Sequence, residues 1–170
     1  MILLALAAGL AAAPAPTAAA QAAAATELPI GSLSVRPDSM RLAPVVEIDV
    51  VLVIEPGNLR HHRMDRRLID RQGNILRSSA DSRTCPAMMA ELAKVEELPM
   101  PHFAAPGTRS SEVVTILIHP TTYTLAMRGH ESGSNTDARI ELSAQSGSPL
   151  AQWTDTALKA LEPCWDGPNA

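Results

Sequence analysis

Aromatic side chains are nearly missing from this chain of 170 residues, for Phe103, Tyr123, Trp153 and Trp165 are the whole set. Single-strand nucleic-acid grooves stack successive bases on aromatic platforms, and four rings that also have a core to fill cannot supply them. Carbohydrate-binding surfaces that rely on ring stacking lose ground for the same reason. Net positive charge is missing too. The formal charge is −4, whereas a general nucleic-acid binder needs a net basic face. Nucleic acid is therefore not an expected partner. Lysine is scarce, with two lysines against twelve arginines in a background rich in Ala and Pro. GC-rich coding produces that mixture, so the arginines as a class carry no functional meaning.

Patterned chemistry is equally thin. With nine glycines in all, neither G-x-x-x-x-G-K nor G-x-G-x-x-G occurs, and nothing in the sequence is built to cradle a phosphate. The histidines are His61, His62, His102, His119 and His130. Metal sites favour pairs on one face of a helix or strand. His61 and His62 are adjacent, so on a strand they point to opposite faces, and the other three are isolated. No metal and no cofactor are expected. Gly129-His130-Glu131-Ser132-Gly133 is one position out of step with the G-x-S-x-G elbow and lacks its strand-turn-helix setting. The carboxylate pairs Glu47/Asp49 and Glu96/Glu97 need a cleft and a raised pKa before they can act as acid and base. No catalytic residue is assigned.

Charge is absent from the first 26 residues, which are dominated by alanine. Ile2 to Ala13 is an unbroken run of small and aliphatic residues, broken by Pro14 and Pro16 and followed by small residues spaced as a signal peptidase reads them. A helix of that length spans about 18 Å, short of a hydrocarbon core of roughly 30 Å. Residues 1–22 read as a secretory leader cleaved near Ala20–Ala22, although it carries no Lys or Arg. A permanent membrane span is not expected. The expected location is periplasmic or extracellular. Cysteine occurs twice, at Cys85 and Cys164. An even count in an exported chain reads as a disulfide, and the absence of a C-x-x-C spacing leaves no redox motif.

After the leader, residues 23–44 carry Pro29, Gly31, Pro37 and Pro44 and read as a tether with one short strand at Leu33 to Val35. A single domain is expected over 45–165, with a tail at 166–170. Val45 to Ile54 is rich in β-branched residues and ends at the turn signal Glu55-Pro56-Gly57-Asn58. Leu68-Ile69 and Ile75-Leu76 flank Asp70-Arg71-Gln72-Gly73-Asn74, a hairpin with glycine in its turn. A helix follows, capped by Thr84, with Pro86 in its first turn and Met88, Leu92 and Val95 at helical spacing. Val113 to Ile118 and Thr122 to Arg128 read as a second hairpin, and Ala138 to Gln145 alternates as a strand with one buried face. The last helix has Ser148 as cap, Pro149 at its first position and an apolar stripe of Leu150, Trp153, Ala157, Leu158 and Leu161. The order is three strands, helix, three strands, helix. The expected fold is α+β, an antiparallel sheet of about six strands with two helices on one face.

Gly73 to Leu92 resembles the strand-hairpin-helix of the C-terminal domains of TonB-type energy-transducing proteins over a short part of the chain. Their serine-glycine turn and long periplasmic spanner are missing, and no family is assigned.

The densest functional signal is the basic stretch from Leu59 to Arg71. On an edge strand it would present Arg60, Arg63, Arg66, Arg67 and Arg71 to an anionic protein or envelope partner. The competing reading is that charge guards an exposed edge against pairing with other chains, and Asp65 and Asp70 interrupt the field. The expected function is non-enzymatic binding of a protein or cell-envelope component. The alternative is a small exported hydrolase whose site, with His130, Ser132 and a carboxylate, assembles only in three dimensions.

Overall fold

The computed structural model describes residues 24–39, 43–99, 119–130 and 137–166. Strands β1 (Thr26–Pro37), β2 (Val45–Glu55), β3 (Leu59–Ile69) and β4 (Ile75–Asp81) precede helix α1 (Pro86–Ala93) and a 3-10 turn at Lys94–Glu97. Strands β5 (Thr121–His130) and β6 (Asp137–Gln145) then lead into α2 (Pro149–Leu161) and a 3-10 turn at Glu162–Cys164. The strands form one antiparallel six-stranded sheet in the order β4-β3-β2-β1-β5-β6. The fold is α+β, with the helices packed on the sheet, as the sequence indicates. Among the described residues four strands precede α1 and two follow it. The segment Val113 to Ile118 lies outside the described residues.

The main departure concerns the stretch read as a tether. Thr26–Pro37 is a twelve-residue strand at the centre of the sheet, paired with β2 on one side and β5 on the other. Its prolines hide it from a sequence reading, since a proline has no N–H for the ladder. The sheet places both where one neighbour is missing. Pro29 pairs with Val51 beyond the reach of β5, and Pro37 pairs with Thr121 beyond the reach of β2. Between them a bulge at Ile30 shifts the register, and Gly31 lets β5 come close. A Cβ at Gly31 would run into Sδ of Met127 and lie 2.9 Å from the Ala126 carbonyl oxygen.

The two hairpins of the β2–β4 meander follow their turn chemistry. Gly57 and Asn58 both take positive φ, and the Asn58 amide donates to the Glu55 carbonyl. In the next turn the Asp70 carboxylate accepts from the amides of Gln72 and Asn74, each at 2.8 Å. These hydrogen bonds, led by one from the Asn74 side chain, hold the Asp70 carboxyl below its ordinary range.

The main core cluster lies on one sheet face, while Val45, Val51, Val53 and Ala126 are buried on the other. Leu33, Ile48, Val50, Met64, Ala80, Tyr123 and Leu125 meet Met88 of α1 and Leu150, Ala151 and Leu161 of α2. The α2 signals act as written, for Ser148 Oγ accepts from the Ala151 amide at 3.1 Å and Pro149 starts the helix. α1 differs in detail. Cys85 is its cap residue, and the Thr84 hydroxyl donates to the Asp81 carbonyl instead. Trp153 Nε1 donates to the Glu91 carbonyl and ties α2 to α1. The Tyr123 hydroxyl donates to Asp155, and burial, with the Asp155 charge beside it, pushes the phenol up. Cys85 and Cys164 are joined, linking the start of α1 to the end of α2 across 79 residues with their Cα atoms 5.5 Å apart.

Two outcomes follow from this framework. Replacing both cysteines by alanine removes about 4–5 kcal/mol of stability in the chain-entropy account, read as the shift in urea midpoint against the oxidised parent. Gly31→Val lowers stability by about 1–3 kcal/mol through overpacking against β5, read the same way, while Gly73→Asn in the solvated turn costs much less.

Candidate functional site

The five arginines of the basic stretch are fixed by the alternation of β3. Arg60 and Arg66 share the helix face with Met64, Arg63 and Arg67 lie on the opposite face, and Arg71 sits in the turn after the strand. β3 is also not an edge strand, because β2 and β4 pair with it on either side. The arginines therefore do not form one basic surface. The edge reading is corrected by topology, for the hairpin partner β4 lies outside β3 and takes the edge itself.

Most of these charges are neutralised. Arg63 spans Glu27 and Asp65, with Nη1 donating to Glu27 at 2.8 Å. This pair, chiefly through the hydrogen bond, holds the Glu27 carboxyl below its usual range. Arg67 lies 3.3 Å from both Glu47 and Asp49. Arg66 is half-sunk beneath the helices. Its guanidinium lies over Trp165 at 4.3 Å from the ring centroid, donates to Ser78 at 2.9 Å and pairs with Glu162 at 3.0 Å. Arg66 therefore joins the sheet to the chain just past the disulfide. Arg60 donates to the Asn58 side chain, and Arg71 is exposed with no ion pair among the described residues.

The other candidates are equally dispersed. Glu47 and Asp49 share the helix-free face, where Arg36 and Arg67 hold Glu47 and Arg67 holds Asp49. Gly129 and His130 close β5, while Glu131, Ser132 and Gly133 of the serine loop lie outside the described residues, as does His102. His119 pairs with Asp38. His61 and His62 point to opposite faces. His61 is buried, with Nε2 3.3 Å from Asp81 and Nδ1 3.9 Å from Glu55. Arg83 bridges the same two carboxylates at 2.8 Å each and, mainly through its hydrogen bonds, holds the Asp81 carboxyl low. Burial, then the neighbouring His61, pushes the His62 imidazole down. Among the described residues no hydroxyl reaches either ring nitrogen of His61, and no group of metal ligands converges.

Among the described residues no helix covers the second face of the sheet, and two concave areas open there. The larger, about 450 Å³, is lined by Asp49, Asp65, Arg67, Arg77, Ser79 and Asp166. Arg77 of β4 stands directly opposite Arg67 of β3 and, unlike Arg67, has no ion pair among the described residues. The smaller, about 260 Å³, lies over the β1 bulge beside Ser32, Arg128 and Arg139. Arg128 and Arg139 are likewise directly opposite across β5 and β6. Like charges so placed repel. Sequence reading missed both pairs because each arises from strand register. No protein family, curated protein or solved structure matches the chain.

The sorting of the arginines is directly measurable. Arg66→Ala lowers stability by about 1–2 kcal/mol, since it removes a stacked and hydrogen-bonded guanidinium. Arg71→Ala changes it by less than about 0.5 kcal/mol. Urea unfolding followed by Trp fluorescence separates the two.

Proposed function

We propose that this chain is an exported, non-enzymatic binding domain that holds an anionic group of a protein or cell-envelope partner on the helix-free face of its sheet. The observation that carries this reading is Arg77. It is exposed, faces Arg67 across the β3–β4 ladder, lacks a carboxylate of its own among the described residues, and lines the larger concavity. An incoming carboxylate or phosphate would supply Arg77 with the counter-charge it lacks and accept hydrogen bonds from its guanidinium. Arg71, exposed at the end of the same hairpin, adds to the local field. Arg63 and Arg66 contribute little, because their charges are already taken by Glu27, Asp65 and Glu162. The apolar and charge-poor leader, together with the disulfide, supports an oxidising compartment as the place of action.

Amide chemical-shift changes on titration with poly-L-glutamate test the reading. Shifts are expected at Arg67, Arg77 and Ser79, weakening with added salt. Arg77→Glu raises the dissociation constant about tenfold, while Arg63→Gln has a smaller effect. Shifts confined to other surfaces, or a response that salt and Arg77→Glu leave unchanged, would sink the proposal.

A further inference from the structure

The two edges of the sheet are not alike. The β4 edge is occupied in part, since Ser79 and Asp166 exchange both backbone hydrogen bonds, at 3.2 and 2.7 Å. The β6 edge carries no neighbour among the described residues. Of the devices that protect an edge, β6 has only charged side chains, among them Arg139 and Glu141. It runs nine residues without proline, glycine or bulge, in unbroken register with β5. At its middle Ile140 is 51 % exposed on the helix side of the sheet.

The sequence about Ile140 is self-complementary. We propose that β6 joins the β6 of a second copy in an antiparallel ladder whose two-fold axis passes through Ile140. In that register the two Ile140 side chains meet, Ala138 faces Leu142, and Arg139 faces Glu141 of the second copy, twice over. Ala138, Ile140 and Leu142 share the helix side, and Arg139 and Glu141 share the helix-free side. Moving the axis one residue either way sets Arg139 against Arg139 or Glu141 against Glu141, which repel. The helices of both copies then stand on one side of a continuous sheet.

A second observation points the same way. Arg128 lies directly opposite Arg139, and the one carboxylate paired with Arg139 among the described residues is Glu141 on its own strand, 3.6 Å away. A second copy brings another carboxylate to the outer side of this repelling pair. The partner is thus identified by its chemistry, a strand that reads Arg-Ile-Glu in the opposite direction, and β6 itself is such a strand.

Sedimentation velocity of the oxidised chain over a range of micromolar concentrations tests the inference, with far-UV circular dichroism to verify that each variant is folded. A concentration-dependent doubling of mass is expected. Arg139→Glu and Glu141→Arg each set like charges face to face and raise the dimer dissociation constant about tenfold or more. Mixing the two variants matches every introduced charge with its opposite and restores a mixed dimer. A chain that stays monomeric throughout overturns the proposal. So does a dimer that neither variant weakens, or single-variant losses that mixing does not repair. None of these outcomes bears on Arg77, whose titration stands apart.

Discussion

β1 is flanked on both sides, and each flank belongs to a different part of the chain. The meander β2–β3–β4 reaches it through β2, and the hairpin β5–β6 reaches it through β5. Everything on the helix side assumes that junction, because the core residues of β2 and β5 meet across Leu33 of β1. The narrow point is Gly31, where the β5 backbone lies against β1 and leaves no room for a side chain. A strand with two prolines, a bulge and an obligatory glycine is a poor strand by propensity. It is held by its neighbours, and the sheet in turn is continuous only through it.

The helical layer is fixed by a second closure. Cys85 and Cys164 join the ends of the helices, and Trp165 immediately afterwards lies beneath Arg66. One residue further, Asp166 pairs with the β4 edge. Covalent bond, stacked cation and backbone bridge follow one another within three residues, and together they clamp the end of the described chain onto the β3–β4 hairpin. Arg66 looks like surface charge in a basic stretch, yet its work is structural.

Legibility in the sequence follows the range of the interactions. Ser148-Pro149 and the α2 stripe act within a few residues of one another, as do Asp70 and its turn, and both read correctly. The cysteines pair because they are the only two. β1 did not read, because its prolines are acceptable only where the sheet leaves one side unpaired, a property of the assembled topology. The arginine stretch misled for the same reason. Whether β3 is an edge depends on where β4 goes, and beyond the nearby Asp65 the carboxylates that pair with Arg63 and Arg66 lie 36 and 96 residues away. Arg77 and the Arg128/Arg139 pair emerge only from strand register. In a chain with few aromatics and no local motif, the contacts that sort the arginines come from register and topology, and a linear reading sees the residues without their neighbours.

β1 precedes every other described element in the chain yet sits at the middle of the sheet, so its two pairings are widely separated in sequence. β1 meets β2 through a short connection, whereas its other partner, Thr121–Met127, lies far along the chain. The cysteine bond in turn requires residue 164. Contacts this distant in sequence form slowly, because loop closure must precede any gain from them. A chain in which β1 had paired with β2 but not yet with β5 would leave an open strand edge, and open edges are where chains pair with strangers. Its productive folding therefore depends on nearly all of the chain being present before the second half of the sheet can close.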